Sequence, residues 1–147
     1  MSEEKPKRKR HHHPRPAQLT LEALRGQGFT ACIVERYISM IHKRIDAFGY
    51  GDILAFKPDK QEASLLQACG AGEAKAHMDT ALKAGVADWL RSPYRTFSIV
   101  EWHKAGERGK RKVWTGTVYV LYAFSPTAWN LRKMGEVDRR GRTLTTS

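Results

Sequence analysis

The sequence has little cysteine, no long apolar run and a shortage of acidic residues. Cys32 and Cys69 are two cysteines in 147 residues, too few for a disulfide framework, so we expect a reduced, cytoplasmic protein. No apolar run approaches the roughly 20 residues that cross a bilayer, which predicts a soluble protein with no membrane partner. No apolar stretch follows the basic N-terminus, so a secretory leader is not expected. The length suits one domain, and the 41% hydrophobic content suffices for one core.

The formal net charge is +11, and the excess is concentrated in three segments. Residues 1–16 have a net charge of +4, residues 103–112 have +4 and residues 129–143 have +3. The rest of the chain is balanced. Basic segments beside a neutral core favour a polyanionic partner, and we interpret them as nucleic-acid binding. The alternative is a surface that serves solubility or attracts nucleic acid without function.

The organisation predicted from composition is a single α/β domain between two basic ends. Residues 1–18 contain three prolines and no hydrophobic periodicity, which indicates a disordered basic arm. Residues 19–135 carry the periodic patterns and form the predicted domain. Residues 136–147 are interpreted as a flexible basic tail.

Within the domain, the patterns predict helices and strands around a mixed central sheet. Thr20 is the expected N-cap of a first helix, and "SPTAWNLRKM" is expected to start a last one at Ser125 and Pro126. The expected elements between them are a strand over Phe29–Glu35, strands at "DILAF" and "SLLQAC", helices from Ala74 to Leu90 broken at Gly85, and a hairpin of "RTFSIVEWH" and "KVWTGTVYVLYAF" around the basic segment.

Three polar residues stand out in the two apolar strands near the middle of the chain. Asp52 opens "DILAF", and Gln67 and Cys69 are two residues apart in "SLLQAC", so both project from one face of that strand. If the strands pair, Asp52 faces Gln67 near one end of the sheet. A carboxylate beside a second oxygen ligand is a minimal site for Mg²⁺, which retains several waters.

The segments "GQGFTACIVER", "IDAFGYGDILAFK" and "LLQACG" resemble the PD-(D/E)xK nuclease superfamily. The resemblance covers about Thr20 to Leu90. It is most specific at Phe48–Ala55, which is similar to the archaeal-type Holliday junction resolvases and the VRR-type branch, including uncharacterised phage and bacterial members. The resemblance implies a restriction-endonuclease-like fold, in which helices flank a mixed central sheet. It also implies a Mg²⁺- or Mn²⁺-dependent endonuclease that acts on DNA, branched or single-stranded, as a homodimer.

By the same resemblance, Asp52 is a metal ligand, Gln67 takes the place of the (D/E) and Cys69 that of the lysine. Gln67 can offer a carbonyl oxygen but no charge, and Cys69 cannot replace an ammonium group. The catalytic set is therefore expected to be Asp52, Gln67, Cys69 and Glu35, with Asp52, Gln67 and Glu35 as metal ligands. Glu22 and Asp46 are alternative sources of the further carboxylate.

Lysines from elsewhere could replace the missing ammonium group, and Lys57 and Lys83 are the candidates. Other cations are expected to hold the phosphate backbone. The predicted nucleic-acid-binding residues are Arg44, Lys57, Lys83, Lys104, Arg108, Lys110, Arg111 and Lys112. Trp102 and Trp114 flank the basic segment, where they could stack on bases or pack in the core.

Each site residue also has a purely structural interpretation. Asp52 could cap the glycine turn, Gln67 could be a satisfied core amide and Cys69 a small buried hydrophobe. The functional alternatives to a nuclease are accordingly a catalytically degenerate nucleic-acid-binding module, supported by Gln67 and Cys69, and a phage-type adaptor whose basic surface binds an acidic host protein.

Overall fold

A computed structural model describes residues 14–144 of the chain. Most of the predicted basic arm, residues 1–13, and the end of the predicted tail, residues 145–147, lie outside the described residues. The elements in chain order are α1 (Pro16–Gly26), β1 (Thr30–Ile33), β2 (Arg36–Ile38), a 3-10 turn (Ser39–Ile41), β3 (Lys43–Ile45), β4 (Ile53–Phe56), β5 (Ala63–Gly70), α2 (Ala74–Lys83), α3 (Val86–Trp89), β6 (Arg95–Ala105), β7 (Val113–Ser125), β8 (Ala128–Asp138) and β9 (Thr143–Leu144).

The first helix begins four residues before the predicted cap, so it enters the range 1–18 interpreted as the arm. Pro16 occupies the first turn of α1 behind an extended Arg15, a position where its fixed φ favours the helix and its missing N–H costs nothing. Thr20 is therefore inside the helix, and its hydroxyl donates to the Pro16 carbonyl oxygen at 2.9 Å. The prediction of Thr20 as N-cap is wrong because the proline supplies the earlier start.

Within residues 14–144, seven strands form one mixed sheet in the order β1-β4-β5-β6-β7-β8-β9. Neighbours are antiparallel except β5 and β6, which are parallel and are connected through α2 and α3. The strands "DILAF" and "SLLQAC" do pair, with Ile53 opposite Leu66. The predicted break at Gly85 is confirmed, since Gly85 has a φ of 93° between the two helices. The predicted α/β class and mixed central sheet are therefore confirmed.

The central strands of the sheet are buried on both faces, and β5 contributes to both cores. Leu66 and Ala68 lie in the core beneath α1, whereas Leu65 and Cys69 lie in the core beneath α2 and α3. The period of two along the strand produces this division. We call these the α1 face and the α2 face. Cys69 therefore packs in the α2-face core, as its structural interpretation as a small buried hydrophobe expects.

The predicted last helix is wrong, because "SPTAWNLRKM" forms a turn and then most of β8. Ser125 and Ala128 are paired residues of the β7–β8 hairpin, and the Thr127 amide donates to the Ser125 hydroxyl at 3.4 Å. A Ser-Pro pair suits a turn as well as a helix start, and the long β7 edge provides a partner for the following residues. β8 continues to Asp138 and β9 follows, so the range 136–147 interpreted as a tail contains strand.

A short hairpin of β2 and β3 separates β1 from β4, and the sequence patterns do not predict it. Its strands pair over three residues each, and Tyr37, Met40 and Ile45 are exposed on it. The hairpin matters because it returns the chain to the sheet with Asp46 beside the end of β1. Among residues 14–144, no helix is long and apolar enough to cross a membrane.

Candidate functional site

Asp52 is held in the sheet by hydrogen bonds of its amide, its carbonyl oxygen and its carboxylate, at the point where β4 begins. Its amide donates to the Leu66 carbonyl oxygen at 2.9 Å, and its carbonyl oxygen accepts from Val34 at 2.9 Å. Its carboxylate accepts from the Ala68 amide at 3.2 and 3.3 Å. The side chain is 4% exposed. Asp52 thus receives its hydrogen bond from the neighbouring strand, not from the glycine turn that precedes it.

Three carboxylates converge at this end of the sheet. Glu35 follows β1, Asp46 follows β3, and each offers an oxygen that lies with one from Asp52 in a group within 4.8 Å of one another. We call these three residues the carboxylate cluster. Glu22, the alternative on α1, lies elsewhere and forms an ion pair with Arg139 at 2.8 Å. The structure thus brings Glu35 and Asp46 to Asp52 and does not bring Glu22.

In the described part of the chain, the arginines beside the carboxylate cluster pair with Glu35, and Asp46 and Asp52 are not balanced in the same way. Burial is the main cause that raises the pKa of Asp52 to about 7, and the negative charges of Asp46 and Glu35 raise it further against the Ala68 hydrogen bond. Burial and then Glu35 also raise the pKa of Asp46. Arg15 and Arg44 both form ion pairs with Glu35. Within residues 14–144, neither aspartate has an arginine or lysine at ion-pair distance, so a bound cation would offset their mutual repulsion.

Gln67 lies beside the carboxylate cluster as a hydrogen-bond donor. With its nitrogen turned toward the cluster, the amide donates to Asp46 Oδ2 at 3.0 Å and to the Tyr50 carbonyl oxygen at 2.9 Å. In this orientation the nitrogen faces the cluster, so the side chain positions Asp46 while its oxygen points away. Gln67 was predicted to offer a ligand oxygen, whereas in the structure it offers a neutral donor.

Cys69 lies one step further along the same face of β5. It is opposite Glu101 of β6, and its Sγ forms a second group with Glu73 and His77 on α2. Burial is the main cause that raises the pKa of the Cys69 thiol to about 12, with contributions from Glu101, Glu73 and Asp52. The thiol is therefore neutral at physiological pH when no cation is bound, which does not suit a free nucleophile.

Neither candidate lysine joins the site. Lys57 follows the far end of β4, about 16 Å along the strand from Asp52, and its ammonium group lies 4.9 Å from the centre of the Phe29 ring. Lys83 is the last residue of α2, about 13 Å along the helix axis from its start beside Cys69. The position that the PD-(D/E)xK resemblance assigns to lysine therefore has no ammonium partner from these two residues.

A second feature is a cationic groove between the β6–β7 hairpin and the turn that joins β8 to β9. Its volume is about 740 Å³. The charged and aromatic residues that line it are Lys104, Arg111, Lys112, Trp114, Asp138, Arg139, Arg140 and Arg142. Three of the predicted nucleic-acid-binding residues are thus brought together. The three arginines of the β8–β9 turn were not among the predicted residues, although the +3 charge of residues 129–143 was a signal of them.

Other predicted nucleic-acid-binding residues lie outside the groove lining. Arg108 and Lys110 are in the connection between β6 and β7, where Lys110 pairs with Glu107 at 2.9 Å. Arg44 forms an ion pair with Glu35 at 3.1 Å, so it lies beside the carboxylate cluster. The groove lining therefore draws its cations from β6, the β6–β7 connection and the β8–β9 turn.

The two tryptophans that flank the basic segment have different environments. Trp102 is 2% exposed and donates from Nε1 to the Thr20 hydroxyl at 2.8 Å, so it is a core residue. Trp114 is half-buried in the groove, and the Lys104 ammonium lies 5.2 Å from the centre of its ring. Trp114 is therefore the ring placed to contact a ligand in the groove.

Comparison with known proteins does not identify the chain. No protein-family model, no curated protein and no solved structure matches it.

The groove and the carboxylate cluster lie toward the same end of the sheet. The cluster is at the starting end of β4, and the groove extends beyond the corresponding ends of β6 and β7 on the α1 face. They are on opposite faces of the sheet, because Gln67 beside the cluster shares the α2 face with Cys69, whereas Trp114 packs on the α1 face. Lys104 is also five residues beyond Ile99, the β6 partner of Gln67, which is about 17 Å along the strand. A nucleic acid that contacts both features would pass around this end of the sheet.

Proposed function

We propose that the protein binds DNA in the cationic groove and hydrolyses a phosphodiester at the carboxylate cluster with Mg²⁺ or Mn²⁺. The observation that carries this proposal is the convergence of Glu35, Asp46 and Asp52 from three separate segments to within 4.8 Å. A buried aspartate without a cationic partner costs folding free energy. Its position is understandable if the folded state binds a cation there.

The donor set fits the proposed metal. Carboxylate oxygens are hard ligands, and Mg²⁺ uses one or two of them together with waters and substrate phosphates. Asp52 and Asp46 would hold the ion, and Glu35 would contribute the third oxygen while Arg15 and Arg44 limit its negative charge. When bound, Mg²⁺ supplies a Lewis acid for the phosphate and a more acidic water.

The remaining residues of the site orient the ligands. Ala68 fixes the Asp52 carboxylate through its amide, and Gln67 fixes Asp46. Both contacts come from β5, which is buried on both faces and therefore rigid. A ligand held by packed strands needs less reorganisation when metal and substrate bind.

The order of elements also supports a restriction-endonuclease-like fold. A helix, a strand, a strand that starts after Asp52, the strand with Gln67 and Cys69, and a helix occur in the order that the PD-(D/E)xK resemblance implies, with the β2–β3 hairpin inserted between the first two strands. We therefore also propose a restriction-endonuclease-like fold and a DNA substrate that is branched or single-stranded. The departure at Cys69 remains, since a thiol cannot take the role of the lysine.

The test is cleavage of labelled single-stranded, duplex and four-way-junction DNA with Mg²⁺ or Mn²⁺. We expect Asp52→Asn to lose cleavage by at least about a hundredfold while DNA affinity is kept. The matched control is Asp79→Asn, which changes an exposed aspartate on α2 and should cleave like the wild type. Cleavage retained in Asp52→Asn would refute the assignment of the site.

A second candidate is a nucleic-acid-binding module without catalysis. The specific observation in its favour is that Cys69 lies among Glu73, Glu101 and Asp52 instead of near an ammonium group. If this candidate is correct, neither the wild type nor Asp52→Asn cleaves any of the DNA substrates with either metal. Both still bind DNA, with an affinity that falls steeply as the salt concentration rises.

A further inference from the structure

The second ligand group of the structure lies where β5 passes into α2. Cys69 Sγ, a Glu73 carboxylate oxygen and a His77 ring nitrogen all lie within 4.8 Å of one another. Glu73 and His77 are four residues apart, so they share one face of the helix start. Cys69 comes from the buried strand and faces the same helix. The carboxylate cluster does not include any of these three residues.

We propose that Cys69, Glu73 and His77 form a binding site for Zn²⁺ or a similar transition-metal ion. Thiolate, imidazole and carboxylate are the three kinds of ligand that zinc takes in proteins. An all-oxygen group suits Mg²⁺, but a sulfur-nitrogen-oxygen group favours a softer ion. The two clusters thus have different metal preferences.

The spacing of the ligand atoms agrees with tetrahedral coordination. Zinc bonds of about 2.0–2.3 Å place neighbouring ligand atoms about 3.3–3.7 Å apart. The measured distance from His77 Nε2 to Glu73 Oε2 is 3.9 Å, so a small side-chain rotation closes the site. Glu73 Oε2 also accepts from the Gly70 amide at 3.1 Å, and its 60% exposed side chain leaves room for the carboxylate to turn about this contact.

The surroundings favour a cation and leave one coordination position open. Glu101 lies opposite Cys69 on β6, and its carboxylate accepts from the Ala74 amide at 3.0 Å. Negative groups therefore border the site on the side of the sheet. Cys69 closes the inner side, while Glu73 and half-buried His77 face solvent. Three protein ligands with an open fourth position describe a zinc site that can bind a water or a substrate atom.

The inference does not need the proposed nuclease activity. Cys69 is two residues from Gln67 on one strand, so the two metal sites would be neighbours, about 7 Å apart along β5. The zinc site uses none of the carboxylates that the Mg²⁺ site needs. Asp52→Asn should therefore leave zinc binding intact, and loss of the zinc site is measurable without any cleavage assay.

The experiment is a titration of the full-length reduced protein with Co²⁺, which reports thiolate coordination as a charge-transfer band in the near ultraviolet. The background is a variant in which His11, His12 and His13 are alanine, because a histidine run binds Co²⁺ itself. The chain supplies its own control in Cys32, the exposed cysteine. We expect the band in the background protein and in Cys32→Ser, and we expect its loss in Cys69→Ser.

Two surface variants keep the test decisive if Cys69→Ser does not fold. His77→Gln and Glu73→Gln change partly exposed side chains, and each should weaken Zn²⁺ binding at least about tenfold in competition with a chromophoric chelator. A band that survives in Cys69→Ser, or unchanged Zn²⁺ affinity in both His77→Gln and Glu73→Gln, would overturn the proposal. Absence of any thiolate band in the background protein would overturn it as well.

Discussion

The Ala68 amide donates to the Asp52 carboxylate at 3.2 Å, which joins a buried acid of one strand to the backbone of the next. This contact fixes Asp52 but supplies less stabilisation than the charged group loses by burial, since the pKa of Asp52 stays raised at about 7. The folded protein therefore retains a poorly compensated charge at one end of its sheet. Each consequence of that charge is measurable.

Stability should fall as the pH rises from about 4 to about 7, the window between the ordinary aspartate pKa of 3.8 and the raised pKa of Asp52. In this window the folded state binds more protons than the unfolded state, so the free energy of unfolding decreases with pH. The contribution of Asp52 is at most about 4 kcal/mol. Urea unfolding between pH 4 and pH 8 should show a much weaker decrease in Asp52→Asn than in the wild type, while the exposed-site control Asp79→Asn should follow the wild type. Equal slopes in all three proteins would contradict the prediction.

A divalent cation should reverse this loss at pH 8. Mg²⁺ that binds only the folded state adds about 2.7 kcal/mol at a concentration 100 times its dissociation constant. Thermal melting with Mg²⁺ or with EDTA should therefore separate in the wild type and coincide in Asp52→Asn. Ca²⁺ and Na⁺ at equal ionic strength distinguish specific binding from screening. A stabilisation that Na⁺ reproduces would contradict a site at the carboxylate cluster.

Gln67→Glu should lower the free energy of unfolding and raise the affinity for Mg²⁺. The amide donates to Asp46 at 3.0 Å and to Tyr50 at 2.9 Å, and a carboxylate at the same place repels the first and leaves the second without a donor. We expect a loss of about 1–3 kcal/mol in EDTA and a larger stabilisation by Mg²⁺ than in the wild type. Gln61→Glu, at an exposed position, is the control and should change neither quantity. A variant that is destabilised equally with and without Mg²⁺ would exclude Gln67 from the neighbourhood of the ion.

The cationic groove should determine the salt dependence of DNA binding. Arg111→Ala and Arg140→Ala each remove one cation from the groove lining. Each should reduce the slope of log Kobs against log salt concentration by about 0.9, if the side chain neutralises one phosphate. Arg36→Ala on the β2–β3 hairpin removes an equal charge outside the groove and should leave the slope nearly unchanged. An equal change of this slope in all three variants would indicate that the net charge of the protein alone attracts DNA.

Local signals in the sequence were sufficient for the strands that carry Asp52 and Gln67, because an apolar run between turn residues has few alternatives. They were insufficient at Ser125 and Pro126, which suit a turn and a helix start equally until β7 provides a pairing edge. The meeting of Glu35 and Asp46 depends on the β2–β3 hairpin, which has weak patterns of its own. The groove depends on a contact between chain ends, where Arg139 pairs with Glu22. Such long-range contacts leave little trace in local periodicity.

The contact between α1 and the β8–β9 turn should link stability to DNA binding. A Cβ at Gly26 would collide with the Arg140 carbonyl oxygen. Helix propensity favours alanine over glycine by up to about 1 kcal/mol, whereas overpacking against backbone costs about 1–3 kcal/mol. We therefore expect Gly26→Ala to lower the free energy of unfolding and, by displacing Arg140, to weaken DNA binding. Gly135→Ala is the matched control, because a Cβ at Gly135 in β8 meets no atom within 4 Å. Urea midpoints and DNA affinities of the two variants measure both effects. If Gly26→Ala loses stability but keeps wild-type affinity, the β8–β9 turn does not position the arginines of the groove.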